Sequence, residues 1–177
     1  MIFTPLLVAG SCLIRPELLS DKRGFFARVW CQEEFALHGL ETHVAQSSLS
    51  YNRRRGTVRG MHYQVAPAEE VKVVRCTTGS IYDVLLDLRP TSVTFQQWCS
   101  VEISAEDRSA VYVPRGVAHG FQSLTDHAEV LYQITPAFSA LHYRGVRWDD
   151  PAFAITWPIR DGVTISDKDR SYPDFAP

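Results

Sequence analysis

Long apolar runs, cysteine pairs, a strong net charge and low-complexity tracts are all missing from this 177-residue chain. Each absence removes a class of protein. No window reaches the roughly 20 apolar residues of a transmembrane helix, so no membrane partner is expected. A formal net charge of -2 and a pI near 6.3 give no global basic field, so nucleic acid is not an expected partner either. The four cysteines, Cys12, Cys31, Cys76 and Cys99, form no C-x-x-C pair and stand among apolar neighbours. That pattern suits small buried thiols in a reducing cytoplasm better than a disulfide framework. Without a linker or a repeat at solenoid period, residues 1–177 read as one domain, large enough to bury roughly 70% of its unfolded surface. The stretch Pro5-Leu6-Leu7-Val8-Ala9-Gly10-Ser11-Cys12 resembles an export signal. It lacks a preceding basic residue, contains Pro5 and runs on into Leu13-Ile14, so it reads as part of a cytoplasmic fold.

What the chain does have is short runs of branched and aromatic residues, each closed by turn residues. They fall at Leu6 to Ile14, Phe25 to Trp30, Val44 to Tyr51, Thr57 to Gln64, Val71 to Thr78 and Ile81 to Leu88. Four more follow at Thr94 to Ile103, Ala110 to Val113, Gly120 to Leu124 and Ala128 to Thr135. This spacing implies an all-β sandwich or barrel. Gln32 to Leu40 reads as a helix stopped by His38-Gly39, and Ser166 reads as the N-cap of a helical turn through Arg170.

Several polar residues interrupt these strands. In Gly56-Thr57-Val58-Arg59-Gly60-Met61-His62-Tyr63-Gln64, alternation puts His62 on the face of Gly60, and Arg59 on the other. Gly60 would let a backbone or a ligand approach the imidazole. A half-buried structural histidine fits the fragment equally well. Asp83 and Asp87 share a face with Ile81 and Leu85 and so need partners, and Lys72 among valines needs an anion unless it snorkels from a strand edge. Tyr132 lies on the face of Val130 and Ile134, where it is either core or a hydroxyl aimed at a ligand. The run Pro114-Arg115-Gly116-Val117-Ala118-His119-Gly120-Phe121 is a turn delivering His119 into the next strand.

The pattern Gly56-(five residues)-His62-x-Gln64-(four residues)-Glu69, with Pro114-x-Gly116-x-x-His119, resembles the two motifs of the cupin superfamily. That resemblance implies an all-β, cupin-type jelly-roll barrel with a few short helices. Metal-binding cupins carry a second histidine where this chain has Gln64, which leaves His62, Glu69 and His119 as the only candidate triad for a metal-dependent enzyme. A narrower resemblance covers nearly the whole chain. Asp21-Lys22-Arg23-Gly24-Phe25-Phe26, Arg59-Gly60-Met61-His62-Tyr63-Gln64, Lys72, Gly79 to Val84, Asp87-Leu88-Arg89, Pro114 to Phe121, Tyr132, Trp148-Asp149-Asp150-Pro151 and Ser166-Asp167-Lys168-Asp169 are similar to the dTDP-4-dehydrorhamnose 3,5-epimerase family.

The resemblance implies a cofactor-independent epimerase, without a metal, acting on a nucleoside-diphosphate 4-keto-6-deoxy sugar. By family position His62 is the base and Asp169 its partner, Lys72 the enolate stabiliser and Tyr132 the acid. Arg23, Arg59 and Lys168 resemble a diphosphate clamp, while Asp83 and His119 line the pocket. Phe26, Arg28, Gln46, Ser48 and Phe138 fall at substrate-binding positions, and a homodimer that exchanges amino-terminal strands is implied. Three departures stand out: Arg28 replaces a glutamate, Gln46-Ser47-Ser48 replaces Q-x-N, and Phe138 replaces an aromatic that often bears a hydroxyl. The first two leave the nucleobase open, cytosine and guanine included. The third leaves open epimerisation at one carbon only.

Overall fold

The computed structural model describes residues 1–176. Its strands are β1 (Ile2–Pro5), β2 (Cys12–Arg15), β3 (Leu18–Asp21), β4 (Gly24–Ala27), β5 (Gln46–Asn52), β6 (Val58–Gln64) and β7 (Val71–Thr78). They continue with β8 (Ser80–Asp87), β9 (Trp98–Ser104), β10 (Ala110–Val113), β11 (Val117–Ser123), β12 (Ala128–Thr135) and β13 (Tyr143–Gly145). Two short helices, α1 (Gln32–Leu37) and α2 (Asp167–Arg170), complete the regular structure.

The strands form a six-stranded antiparallel sheet, ordered β1-β2-β10-β7-β12-β5, and a five-stranded one, ordered β13-β6-β11-β8-β9. Face to face they make the cupin-type jelly roll. Between them lies a core of Val74, Val111 and Val130 from one sheet against Ile81, Leu85 and Phe121 from the other. Each sheet is also covered outside. Phe35 of α1 packs with Ile14, Val73 and Tyr112 on the first, and Phe153, Ile155 and Trp157 pack with Met61 and Leu86 on the second. Sheets covered on both faces show near-continuous burial rather than clean alternation, as β8 does.

The strands expected from sequence at β7, β10 and β12 match the structure to the residue. Leu6 to Ile14 is not one strand: residues 6–11 turn, with Leu6 N–H donating to the Ser11 carbonyl, and the strand begins at Cys12. Sequence patterning also missed β1, β3 and the three-residue β13. Helix α1 stops at Leu37, short of the expected Leu40, with His38 at its cap, while α2 is capped by Ser166, whose hydroxyl accepts from the Asp169 N–H at 3.1 Å. All four cysteines are free thiols. No helix among the described residues is long and apolar enough to cross a membrane.

The hairpin of β3 and β4 stands apart as its own two-stranded sheet, with Leu19 and Phe26 both more than 65% exposed. By contrast β6 and β11 press together closely. A Cβ on Gly60 would fall 2.5 Å from Gly120 Cα, and Gly60 also has φ +133°, which side chains rarely adopt. The close neighbour that Gly60 admits is therefore the backbone of β11. Gly60→Ala is expected to lower unfolding stability by about 1–3 kcal/mol, read from denaturant unfolding; an unchanged midpoint would contradict this packing.

Candidate active site

β6 and β11 pair His62 directly with His119, and between that pair and the next, Arg59 with Phe121, β6 carries one residue more than β11. Such a bulge resets side-chain parity. It turns Arg59 and His62 to the same side, where simple alternation had separated them, and both line an open cavity of about 510 Å³. His119, Lys72, Tyr132 and Asp169 line it too.

Each imidazole is held by a carboxylate. His62 Nε2 bonds Asp169 Oδ1 at 2.7 Å, and His119 Nε2 bonds Asp83 Oδ1 at 2.7 Å. Asp169 comes from α2, 107 positions away, and its other oxygen accepts a long bond from Gly60 N–H at 3.4 Å. Burial lowers the His62 pKa below its ordinary 6.5, outweighing the attraction of Asp169, while Lys72 and His119 push the same way. The ring is therefore neutral at neutral pH. With Nε2–H donated to Asp169, Nδ1 is the nitrogen free to take a proton. Burial alone would raise the Asp169 pKa, but hydrogen bonds from His62, Gly60 and the Ser166 hydroxyl, with the charge of His62, hold it below the usual value.

Tyr132, from the opposite sheet, has its ring 6.3 Å from that of His119. Burial, reinforced by the charge of Asp83, pushes its pKa far above the ordinary tyrosine value. It stays a proton donor across the working range. Lys72 lies on β7, in the middle of its sheet, so it does not snorkel from an edge. Its ammonium pairs with Glu70 Oε1 at 2.8 Å and donates to the His62 carbonyl at 3.1 Å. An ammonium has three donors, so one remains for an oxygen in the cavity.

Other candidates lie away from the lining. Within one chain, Arg23 is 85% exposed and paired with Asp21 at the tip of the β3–β4 hairpin. Phe26 on that hairpin is exposed, and Arg28 just beyond it is tied to Glu34 at 3.0 Å. The hairpin's separation from the barrel keeps all three out. Lys168 sits with Nζ 3.9 Å over the Tyr143 ring rather than in the cavity. Gln46 donates to Ser48 Oγ at 3.0 Å and accepts from Phe138 N–H at 3.2 Å, on the edge strand β5. Phe138 packs on Tyr143 with ring centroids 5.4 Å apart.

Gln64, at the second ligand position of metal cupins, is buried and tied to the Ala68 carbonyl and Ser139 N–H. His62, Glu69 and His119 do not converge; among the described residues no three His, Cys, Asp or Glu side chains group as metal ligands. Sequence reasoning missed Glu70, though its place two residues before Lys72 put both on one face of an extended chain. It also missed Tyr143 and Tyr172 beside His62, which no local pattern announces.

A jelly roll whose cavity joins a neutral imidazole, a protonated phenol and a directed ammonium defines a cupin-fold epimerase, an isomerase that moves protons. The chain belongs to the dTDP-4-dehydrorhamnose 3,5-epimerase family, whose model matches residues 5–177. It is 40% identical over 175 residues to the dTDP-4-dehydrorhamnose 3,5-epimerase of Sinorhizobium fredii, covering 99% of this chain and 90% of that one. The Bacillus anthracis enzyme of that name, solved with TDP and PPi bound, superposes with TM-score 0.94 at 36% identity, covering 98% of this chain and 99% of that one. A 3'-monoepimerase from Streptomyces bikiniensis in complex with dTDP-quinovose gives TM-score 0.88 at 33% identity, covering 97% and 86%.

Removing Glu70 would leave the Lys72 ammonium buried and unpaired. Glu70→Ala is expected to cost about 3–5 kcal/mol of stability in denaturant unfolding. A loss below about 1 kcal/mol would mean that water screens the pair.

Proposed function

We propose that this chain epimerises a nucleoside-diphosphate 4-keto-6-deoxyhexose at carbons 3 and 5 without a cofactor. The observation that carries this is the pairing of a neutral His62 on one sheet with a protonated Tyr132 on the facing sheet, with Lys72 in the same cavity. The ketone at carbon 4 acidifies the hydrogens on both neighbouring carbons. His62 Nδ1 takes one of these protons, and Asp169 stabilises the imidazolium that forms. Lys72 holds the developing enolate oxygen with its remaining N–H. Tyr132 returns a proton to the carbon from the other face, and exchange with solvent then resets both groups. His119 lines the cavity, whereas Asp83, expected there too, is fully buried behind it and holds its ring; Arg59, which lines the cavity and donates to Asn52 at 2.8 Å, would meet the diphosphate.

The nucleotide end of the site is proposed to be completed by a second copy. A lone two-stranded hairpin is marginal in water, and β3–β4 exposes Leu18, Leu19, Phe25 and Phe26. Docked on a partner as a homodimer, the hairpin would bring Arg23, Phe26 and Arg28 to the partner's Gln46 and Ser48 edge, with Lys168 near the diphosphate. Arg28 cannot accept the imide hydrogen of thymine as a carboxylate would, so the base remains a matter for competition among nucleotides. Four free thiols support a cytoplasmic setting. A second reading, epimerisation at one carbon, is favoured by Phe138, which can stack but cannot donate a proton.

In heavy water, label at both carbons is the expected outcome; label at one carbon selects the second reading, and label at neither rejects both. His62→Ala should abolish exchange in a folded protein, and normal exchange in that variant would remove His62 as the base. Lys72→Ala should lower turnover about 10²–10³-fold with a smaller effect on binding. Because burial lowers the His62 pKa, kcat/KM should fall only as the pH drops through a midpoint below 6.5. Tyr132 should add no alkaline limb below the ordinary tyrosine range. A profile with the opposite sign would reassign the acid and base.

A further inference from the structure

Two aromatic rings outside the reacting set close on the base. The Tyr143 ring lies with its centroid 5.0 Å from the His62 imidazole at 45°, and the Tyr172 ring 6.5 Å away at 68°. They reach it from different elements. Tyr143 opens β13, whose Gly145 is the register partner of His62, and Tyr172 follows α2, the helix that carries Asp169. Gly145 makes the arrangement possible: a Cβ there would fall 2.4 Å from the Tyr172 ring. Lys168 closes the stack, with its ammonium over Tyr143. The Tyr172 hydroxyl is buried beside the Tyr143 hydroxyl and makes no hydrogen bond to His62. The ring, not the phenol, is therefore what this position presents to the imidazole.

We propose that Tyr143 and Tyr172 are positioning residues that exclude water from His62 and fix the plane of its ring. The proposal rests on His62 being the base, but it concerns a function the reacting groups cannot supply for themselves. Charged or titratable groups act on His62 from three elements: Asp169 from α2, Lys72 from β7 and His119 from β11, while Lys168 of α2 lies over Tyr143 and Glu70 is paired with Lys72. Asp169 alone would favour the imidazolium and fill the site with spent base. Dehydration opposes it, and burial is the largest influence on His62, against Asp169. The two rings are the apolar surface that the β13 edge and the tail add to that burial. Neither tyrosine lines the main cavity, so their effect reaches the substrate through the imidazole.

The test is an NMR titration of the His62 imidazole in the substrate-free protein, which reads the ring whether or not the assigned reaction is correct. Tyr172→Ala removes the ring, and Gly145→Ala displaces it while leaving the tyrosine in place. Both should raise the His62 midpoint toward 6.5, and the acid limb of deuterium exchange should move with it, the rate at acid pH changing about tenfold for every pH unit the midpoint moves. Tyr172→Phe keeps the ring and should restore the parent midpoint. An unchanged midpoint in both alanine variants, or a phenylalanine variant whose midpoint rises as far as theirs, would overturn the proposal. Loss of exchange in the parent protein with the midpoint behaving as stated would instead overturn the assigned reaction and leave the dehydration of His62 standing.

Discussion

This barrel is organised by the need to neutralise buried charge. Glu70, Lys72, Asp83, Asp87 and Asp169 are each less than a tenth exposed. A charge taken from water without a partner costs several kcal/mol, more than most single contacts return. Every one of the five has an oppositely charged or imidazole partner: Glu70 with Lys72, Asp83 with His119, Asp169 with His62, and Asp87 with Arg89. The first three pairs converge on one cavity, and the fourth does not. Asp87 accepts from Arg89, Ser92 and Thr94, and together these bonds outweigh burial and hold its carboxyl well below the usual range. That pair closes a loop after β8, and the Asp87 carboxylate, fully buried and already accepting at both oxygens, has none left for a ligand. Saturation is what separates the Asp87 carboxylate from the cavity groups, since Lys72 keeps a free donor and His62 a free nitrogen.

This also explains which features were legible in the sequence. Polar residues inside apolar strands identify themselves, so Lys72, Asp83, Asp87 and Tyr132 could be singled out from local pattern, and turn spacing marked ten strand-like runs, against thirteen strands in the structure. The face on which His62 sits could not. Alternation assigns Arg59 and His62 to opposite sides, and only the extra residue of β6 against β11 brings them together. Bulges leave no mark in hydrophobic period. Strands β1, β3 and β13 were hidden because they are edges or a free hairpin, where burial does not impose apolar residues. The Glu70–Lys72 pair could have been drawn from its spacing of two, but not the tyrosines, which depend on where the tail lies.

The tail is therefore more than a closing segment. It enters the barrel at Thr164, which exchanges backbone hydrogen bonds with Gly56 and Val58, and so starts α2 beside β6. Phe175 N–H is then fastened to Asp150 Oδ2 at 2.6 Å, and the Phe175 ring packs on Phe153. Between these anchors α2 is a single turn, too short to be stable alone. Its position comes from both ends and from the Ser166 cap. Asp169 is thus set by tertiary contacts at either side of it, which is how a four-residue helix can hold a carboxylate at hydrogen-bond distance from an imidazole.

The same geometry resolves an apparent conflict in the chemistry. A base with a lowered pKa is a weaker proton acceptor, and a phenol with a raised pKa is a weaker donor, so both changes oppose a fast reaction. In the proposed reaction their value lies in occupancy: His62 waits unprotonated and Tyr132 waits protonated over the neutral range, so every bound substrate would meet a competent pair. On that proposal the driving force lost at those two groups is returned at the carbon acid, where the Lys72 ammonium would lower the energy of the enolate in a medium with little water to screen it. Lys72 can do this only while its charge is both present and directed. Glu70 and the His62 carbonyl supply the direction, which under the proposed reaction makes the ion pair a requirement of proton transfer as much as of the fold.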